Sequence, residues 1–404
     1  MSEDSGDMTG GGQQGKSSAA PVSPLEDDNL LSVILCRLPL VPSSLLRASV
    51  VCKPWRSLVS DPRFLRDFRA HHQKPPLLGF FSVDFFGNIE FTTMLGPSSD
   101  RIPTEHFSLR IGPTSRVLRS HHGRVLVLNQ EGQHFLVWDP VTGELLNVAF
   151  PPGVDGKMML VIDGGVVCAA IDQGHVHGAC HSDPFRVVFI GEDRGQIFAC
   201  AYSSETRAWG NLFSMTSPLP YFVTNSPKCP STLVRNSICL LIFGERAVIL
   251  EFDWGRGNLT HIDVPSDAYH FDTFIGGMCQ FMVTPADSSG LSFILLSSFS
   301  VHVWKRVSDG GSNNATWMLG NTIELRKLLS LKPMMHLSIM GLDEDNYVIF
   351  KLTDSVVFTV NLESLQFKKL STQLPFYPFS FHPFKSFYTP ELINDSMCVH
   401  RLKA

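Results

Sequence analysis

The chain has 404 residues, of which 44% are hydrophobic and 18% are charged, and its formal net charge at pH 7 is -5. This composition supplies enough apolar side chains for two or three domains and excludes a chain that is disordered throughout. The slightly acidic balance gives no electrostatic attraction to nucleic acid, so we predict no nucleic-acid partner.

Two further features of the composition concern the cellular compartment. No apolar run reaches the ~18 to 20 residues that a membrane-spanning helix needs, and residues 1–20 lack the apolar core of a secretion signal. We therefore expect no membrane association. The nine cysteines include no Cys-x-x-Cys pair, so we expect reduced thiols and a location in the cytoplasm, the nucleus or both.

The segment from Asp27 to Leu65 predicts a small helical module. Apolar residues recur at helical spacing from Leu30 to Leu38, directly after acidic residues that suit a helix N-terminus. Pro39 and Pro42 end this first helix, and a second helix precedes a third that has Pro54 in its first turn. Three short helices in about 40 residues cannot bury all of their apolar side chains, so a binding partner is expected to cover some of them.

The order of residues in this module resembles the F-box family. The matching steps are Leu30-Leu31, Ile34-Leu35, Leu38-Pro39 and the run from Val51 to Arg56, Val-Cys-Lys-Pro-Trp-Arg. The chain departs from the family pattern at the front, where Leu25-Glu26 replaces the usual Leu-Pro, and at Pro54, which lies inside the Cys-Lys-x-Trp step. The resemblance implies docking on a Skp-type adaptor and, through it, on a cullin; the alternative is an ordinary helical hairpin within a larger core. The residues expected to contact the adaptor are Leu30, Leu31, Ile34, Leu35, Leu38, Pro39, Val51, Cys52 and Trp55.

From Leu78 onward the apolar pattern changes to short or alternating runs that are interrupted by Gly, Asp, Asn and Pro, which is typical of β-hairpins. Six loosely similar units follow, and each predicts a strand, a tight turn, a strand, a polar turn and a strand. Their near-regular spacing is close to the ~40 to 50 residues of propeller blades. We predict an α+β multidomain chain, in which a short three-helix module precedes an all-β, six-bladed propeller-like domain. Seven blades and a large β-sandwich are the alternatives.

The predicted organisation has four parts. Residues 1–22 are a disordered tail, 23–75 the helical module, 76–390 the β domain, and 391–404 a C-terminal tail or a closing strand. Phrases such as HGRVLVLN, VWDPVTGE, HVHGACH, YSSETRAWGNL and LESLQF resemble the region that follows the F-box in a large plant F-box family that is abundant in grasses. That resemblance implies a β domain that recruits a substrate, and it assigns no substrate-binding residue.

One cluster suggests a metal site, namely His175, His177, Cys180 and His181. His175 and His177 would share one face of an extended segment. Turn residues surround the cluster, however, and the sequence does not establish a complete set of four ligands. We therefore favour a hydrogen-bonded turn and predict no metal and no cofactor.

Aromatic residues near the ends of predicted strands are interpreted as structural. Packing between blades is the expected role of Trp209, Trp254, Trp304 and Trp317. Trp138-Asp139 is expected to mark a strand end and a turn. His121-His122, before Gly123, is expected to form a turn that enters a strand.

No catalytic motif stands in a suitable context: the sequence has no Gly-x-Ser-x-Gly elbow and no His-Glu-x-x-His helix, and its Gly-x-Gly-x-x-Gly match at residues 10–15 lies in the predicted disordered tail, without the strand and helix that such a loop needs. We predict a non-catalytic adaptor, the substrate-recognition subunit of a Skp-cullin-F-box E3 ubiquitin ligase that recruits an unknown target protein. The alternatives are a ligase-independent F-box scaffold and a β-propeller carbohydrate-binding protein or enzyme.

Overall fold

The computed structural model describes residues 27–84, 86–95, 107–129, 133–154, 160–171, 175–219, 231–265, 268, 280–286, 290–308, 315–332, 335–352, 356–370 and 381–388. The tails predicted over residues 1–22 and 391–404 lie outside these ranges. Everything that follows concerns the described residues.

The chain begins with a helical module of four helices, which are α1 (Asp28–Leu35), α2 (Ser43–Ser49), α3 (Lys53–Ser60) and α4 (Pro62–His72). The carboxylate of Asp27 caps α1 by accepting the backbone N–H groups of Asn29 and Leu30 at 2.8 and 3.2 Å. Pro54 lies in the first turn of α3, as predicted. None of the described helices is both long enough and apolar enough to cross a membrane.

Helix α4 is longer than the sequence pattern indicated. It has 11 residues and begins directly after the capping residue Asp61, whereas only one or two additional turns were expected after the third helix. Phe64 and Phe68 on α4 are buried in the core of the module. The module therefore has four helices, and α4 adds two buried phenylalanine rings to its core. The buried core consists of Leu31, Leu35, Leu45, Ala48, Val59, Phe64 and Phe68.

The rest of the described chain forms six antiparallel β-sheets. The strands are β1 (Leu77–Val83), β2 (Asn88–Thr93), β3 (Leu109–Arg110), β4 (Ser115–His121), β5 (Arg124–Asn129), β6 (His134–Trp138), β7 (Leu145–Ala149), β8 (Leu160–Cys168), β9 (Phe185–Asp193), β10 (Gln196–Ser203), β11 (Ala208–Trp209), β12 (Phe213–Thr216), β13 (Thr232–Val234), β14 (Ser237–Phe243), β15 (Ala247–Asp253), β16 (Asn258–Asp263), β17 (Phe281–Pro285), β18 (Leu291–Ser297), β19 (Ser300–Ser308), β20 (Ala315–Glu324), β21 (Leu337–Leu342), β22 (Tyr347–Leu352), β23 (Val357–Asn361), β24 (Phe367–Leu370) and β25 (His382–Lys385). Helix α5 (Leu325–Leu328) lies between β20 and β21.

These sheets are the six blades of a propeller. In chain order the second to sixth blades begin with β4, β8, β13, β17 and β21. The first strands of neighbouring blades contact each other, as β4 does with β8 and β17 with β21, so they line the centre of the ring. The prediction of six blades is confirmed.

The first blade is completed from the far end of the chain. Strand β25 pairs with β1, and β2 and β3 follow outward. Because β25 also contacts both β4 and β21, it is the central strand of this blade and closes the ring. The closing strand is thus His382–Lys385, within the predicted β domain, whereas the sequence analysis allowed for one after residue 390.

Adjacent blades pack through buried aliphatic and aromatic side chains. Trp209 on β11 donates its indole N–H to the carbonyl of Ala149 in the preceding blade at 2.8 Å. Trp317 on β20 makes the same contact with the carbonyl of Asp263 at 2.7 Å. The predicted packing role of these tryptophans between blades is confirmed, and Trp304 is likewise buried in the core shared by the fourth and fifth blades.

One face of the propeller joins the helical module. In an antiparallel blade the turn between the first two strands lies on the same face as the turn between the last two. The β4–β5 turn at 122–123, the β8–β9 loop at 169–184 and the β21–β22 turn at 343–346 therefore share a face, from which β1 also starts after the module. We call this the junction face.

Candidate functional site

The outer side of α1 is apolar and exposed. Leu30, Val33 and Ile34 are 49%, 50% and 43% exposed. Their spacing of three and four residues places them on one side of the helix. Grouped large apolar side chains on a solvent-exposed helix face are typical of a surface that a partner covers.

Two more exposed apolar residues follow α2. Val50, the C-cap residue of that helix, is 76% exposed, and Val51 is 59% exposed. Together with the exposed residues of α1 they define the outer apolar surface of the module, which consists of Leu30, Val33, Ile34, Val50 and Val51.

The nine residues expected to contact an adaptor fall into three groups. Leu31 and Leu35 are each 1% exposed because they form the core of the module. Leu38 and Trp55 are partly buried and pack against that core. The residues that reach the surface are Leu30, Ile34, Pro39, Val51 and Cys52. Adaptor contact stays a prediction for the set, and Leu31 and Leu35 are positioned to support the outer surface from within.

Sequence reasoning missed two members of the outer apolar surface, Val33 and Val50. Both faces of α1 are apolar, so periodicity alone does not distinguish the buried face from the exposed one. The signal that could have identified Val33 is its i, i+3 relation to Leu30 on the side opposite Leu31 and Leu35.

A buried ion cluster lies where the module meets the junction face. The ammonium group of Lys385 lies 2.9 Å from Asp343 Oδ2 and also contacts Asp345, and the Lys385 and Asp343 side chains are almost fully buried. Burial opposes the charge of Lys385, but the two carboxylates outweigh this effect and raise its pKa. The exposed Lys74, just before β1, lies 3.1 Å from Asp345. The cluster thus connects the linker, residues 73–76 between α4 and β1, to the first and sixth blades.

The described part of the β8–β9 loop packs against the same linker. Gly178 has a φ of +98°, and a Cβ atom there would lie 2.6 Å from Pro75 Cγ. Only glycine therefore fits the backbone conformation and the close approach. The Gly178 carbonyl accepts the Phe387 N–H at 3.0 Å and the Ser386 hydroxyl at 2.8 Å. This loop therefore contacts the chain both before β1, at Pro75, and after β25.

Two cysteines and two histidines converge beside Gly178. His175 Nε2 lies 3.4 Å from the sulfur atoms of both Cys168 and Cys180. His177 Nδ1 lies 3.7 Å from Cys180 Sγ. A hydrogen bond from Cys180 lowers the pKa of Cys168 to about 4, and the same interaction, together with burial, raises that of Cys180.

The structure separates His181 from this group. His181 Nδ1 lies 2.7 Å from Asp139 Oδ2, at the strand end that follows Trp138. The Asp139 carboxylate also accepts the N–H groups of Val141 and Thr142, which confirms the predicted turn. Cys168, which the sequence analysis did not include, takes the place of His181. Cys168 is the last residue of the largely apolar strand β8. From the sequence it therefore resembled a cysteine that is buried in the core.

Two further histidines pack next to the cluster. The ring of His122 stacks on that of His177 at a centroid distance of 3.6 Å, and its Nδ1 accepts the Cys168 N–H at 3.0 Å. Burial lowers the pKa of His122 and lowers that of His121 to about 3, so both are neutral. His122 and Gly123 form the predicted turn into β5, whereas His121 is the last residue of β4.

A half-buried carboxylate completes this neighbourhood. Glu344 accepts the His122 backbone N–H at 2.9 Å, and burial raises the pKa of its side chain to about 7. A His–Asp pair and a buried acid occur in many catalytic sites. Here, however, the Ser204 hydroxyl, which lines the groove beside His181, accepts the Phe185 N–H at 2.8 Å. In the described residues the Ser204 hydroxyl is hydrogen-bonded to this backbone group, and the hydrogen bond of His181 is to Asp139.

The sequence models of two families match the chain. The F-box domain matches residues 27–67, and the family described as F-box protein AT5G49610-like, beta-propeller, matches residues 116–392. The F-box protein At5g49610 of Arabidopsis thaliana is 25% identical over 381 residues, which are 90% of this chain and 97% of that protein.

Similarity to solved structures is weaker. A DUF4784 family protein from Bacteroides caccae has a TM-score of 0.43 and 11% identity over 76% of this chain and 73% of its own. The Dos1 propeller has a TM-score of 0.36 and 10% identity over 78% and 71%. AztD from Citrobacter koseri has a TM-score of 0.35 and 11% identity over 77% and 90%. At these TM-scores the three structures give no information about function.

Proposed function

The chain belongs to the F-box protein AT5G49610-like, beta-propeller, family, and from this premise we propose that it is the substrate-recognition subunit of a Skp-cullin-F-box E3 ubiquitin ligase. The outer apolar surface of the helical module is the observation that carries the proposal. A Skp-type adaptor covers Leu30, Val33 and Ile34 by accepting the outer face of α1 in an apolar groove. Leu31 and Leu35 keep that face in place from the core.

The proposed mechanism is proximity. The adaptor connects the module to a cullin, which carries a charged ubiquitin-conjugating enzyme, while the propeller binds the target protein. Holding a target lysine near that enzyme raises its effective concentration and accelerates transfer without chemistry by the F-box subunit. The proposal therefore assigns no catalytic residue to this chain.

The propeller face opposite the junction face is the proposed site of substrate binding. The helical module covers part of the junction face, and this leaves the opposite face as the candidate. Residues 155–159, 220–230 and 371–380 lie outside the described part of the chain, and no substrate-binding side chain is assigned. The free thiols in the described chain fit the proposed location in the cytoplasm, the nucleus or both.

The test uses the full-length chain, a purified Skp-type adaptor and a cullin. Ile34→Asp puts a carboxylate on the exposed face of α1 without entering the module core. Burying that charge in the adaptor interface should cost several kcal/mol, which weakens adaptor binding by about 100-fold or more. Binding is measured by calorimetry or by surface plasmon resonance.

Met318→Asp provides the matched control, because Met318 is an exposed apolar residue on the fifth blade. It should bind the adaptor as the wild type does. Wild-type affinity of Ile34→Asp would contradict the docking surface. Adaptor binding without cullin recruitment would instead favour a ligase-independent scaffold.

A cell experiment tests the recruiting role. A version that lacks residues 23–75 should still bind its target but should not deliver it to the ligase, so captured targets should accumulate and carry less ubiquitin. A cycloheximide chase of those targets measures their lifetimes, with proteasome inhibition as the control. Unchanged lifetimes with both the full-length and the shortened protein would contradict a role in degradation.

A further inference from the structure

Four potential metal ligands meet at the junction face. Cys168 ends strand β8, and His175, His177 and Cys180 lie on the loop that follows. One ligand atom from each of the four side chains lies within 4.8 Å of every other. The spacing along the chain, Cys-x6-His-x-His-x2-Cys, lets a single loop close around one point.

The distances match those around a tetrahedral ion. Zinc with Zn–S bonds of ~2.3 Å and Zn–N bonds of ~2.0 to 2.1 Å separates a sulfur ligand from a nitrogen ligand by about 3.5 Å. The observed distances are 3.4 Å from His175 Nε2 to each sulfur and 3.7 Å from His177 Nδ1 to Cys180 Sγ. A hydrogen bond explains one such contact, whereas one imidazole nitrogen equally close to two sulfurs indicates a shared centre.

Neighbouring groups contact three of the four side chains. The carboxylate of Asp183 faces the other ring nitrogen of His175, with Oδ2 3.7 Å from Nδ1. A carboxylate commonly lies on this side of a histidine that binds a metal. The Ala170 N–H points at Cys168 Sγ at 3.5 Å, and the stacked His122 ring holds the plane of His177.

The ligand types select the metal. Two thiolates and two imidazoles in a tetrahedral arrangement suit Zn²⁺, and a closed set of four protein ligands is typical of a structural rather than a catalytic site. We propose that Cys168, His175, His177 and Cys180 bind one Zn²⁺ ion, which holds the β8–β9 loop against the linker between the helical module and the propeller. This proposal replaces our sequence-based prediction of no metal, in which His181 stood among the candidate ligands.

The position of the loop explains the proposed role. Gly178 lies between ligands His177 and Cys180, touches Pro75 of the linker, and binds the chain that leaves β25 through its carbonyl. A metal that orders this loop therefore also orders the linker, which sets the direction in which the helical module leaves the propeller. The inference rests on the ligand geometry and does not depend on the ligase assignment.

The first test measures metal content. The full-length protein is produced with a tag that does not bind metals, dialysed against metal-free buffer and analysed by inductively coupled plasma mass spectrometry. We expect one zinc per chain in the wild type and a loss of most of it in both Cys168→Ser and Cys180→Ser. Zinc content in the wild type no higher than in these variants would overturn the proposal.

Two variants serve as matched controls. Cys200→Ser changes a buried cysteine of the third blade that lies outside the cluster, and His181→Gln changes the neighbouring histidine that pairs with Asp139. Both should retain one zinc per chain. Loss of zinc from His181→Gln, with retention in Cys168→Ser, would mean that the ligand set is a different one.

A spectroscopic measurement on the wild type tests cysteine ligation of the metal even if a cysteine variant fails to fold. Replacing zinc by Co²⁺ should give the intense visible bands of a tetrahedral ion and a thiolate-to-cobalt charge-transfer band. Absence of the charge-transfer band would overturn cysteine ligation. A Cys168–Cys180 disulfide, found by peptide mass spectrometry of the freshly purified protein, would also overturn it.

The holding role is tested by removing the metal from the wild type. Chelation should increase hydrogen exchange in the β8–β9 loop and in residues 73–76 and should lower the midpoint of thermal unfolding, and added zinc should restore both. If zinc is bound but its removal leaves exchange in residues 73–76 unchanged, the ion does not hold the linker.

Discussion

The helical module and the propeller differ in how each completes its core. The propeller closes on itself, because β25 from the end of the chain becomes the central strand of the blade that β1 begins. The module has a core of seven residues and leaves a second apolar surface exposed. Closure makes a domain self-sufficient, whereas an uncovered apolar surface makes a module dependent on a partner. The predictions below test this difference.

The largest effect is expected inside the module. Leu35→Asp places an unpaired carboxylate at a site that is 1% exposed, which should cost several kcal/mol and exceed the stability of so small a core. Hydrogen exchange should show loss of protection throughout residues 28–72, while the propeller keeps its cooperative thermal transition. Simultaneous unfolding of both regions would mean that the propeller is not self-sufficient. Ile34→Asp on the opposite face is the control, and it should leave the protection of the module unchanged.

The next effect tests propeller closure. Phe384 on β25 is fully buried and packs against the rings of Phe81, Phe91 and Phe107. Phe384→Ala should destabilise the propeller by about 3 to 5 kcal/mol, because it leaves a cavity where the ring closes.

The matched control is Phe367→Ala, since Phe367 is 46% exposed on the sixth blade. It should cost much less, about 1 kcal/mol or below. Chemical denaturation monitored by circular dichroism compares the two variants. Equal losses of stability would show that β25 is no more important to the propeller than an outer strand.

A third prediction concerns the ion cluster between the two regions. Lys385→Met leaves the carboxylates of Asp343 and Asp345 without their buried cation and should destabilise the propeller by about 3 to 5 kcal/mol. Lys74→Met removes an exposed partner of Asp345 and should cost less than about 1 kcal/mol. Urea denaturation of both variants measures the difference, and similar small losses would contradict the buried character of the cluster.

A fourth prediction uses pH. Burial, the largest influence, raises the pKa of Glu344 from its ordinary value of 4.5 to about 7, although Lys385 and the His122 N–H act in the opposite direction. Between these pKa values the folded state binds more protons than the unfolded state, so this group lowers stability as the pH rises from 4.5 to 7. Glu344→Gln should therefore have no effect near pH 4.5 and stabilise the protein by up to about 3 kcal/mol at pH 8.

The difference between Glu344→Gln and the wild type isolates this contribution. The neutral, buried His121 and His122 change stability in the opposite sense, since their lowered pKa values make the folded state bind fewer protons in acid. Because His121 Nδ1 lies 3.7 Å from Glu344 Oε1, the same subtraction is repeated in a His121→Gln background, in which this contact is absent. A difference that does not change between pH 4.5 and 8 would contradict the raised pKa of Glu344.

Local patterns in the sequence determined the helices and most of the strands. The alternation of apolar residues, interrupted by turn residues, predicted six units. Five of them correspond to the outer three strands of one blade, whereas the first contains β1 and β2 but not β3. The central strands were missed because several are short or polar. Strand β13 has three residues, and β4 carries Arg116 and Arg119. The Arg116 side chain binds the Val161 carbonyl in the third blade, and that of Arg119 binds the Ser231 carbonyl next to β13 in the fourth blade. The side chains of a central strand contact other blades. Such a strand therefore lacks the alternation of apolar and polar residues by which a hairpin is predicted.

What the sequence by itself determined about α1 is that the helix is amphipathic and strongly apolar; only the tertiary structure decided which of its two apolar faces is buried. Leu31 and Leu35 are buried because α4 brings Phe64 and Phe68 to that side, and Ile34 then remains outside.

The members of the Cys/His cluster were likewise decided by the tertiary structure. His175, His177 and Cys180 are near one another in the sequence, but Cys168 joins them and His181 leaves them because the β8–β9 loop folds back and Asp139, from the second blade, binds His181. The pattern of apolar and polar residues predicts which side chains are buried on average. Which residue each of them contacts depends on chain segments that are distant in sequence.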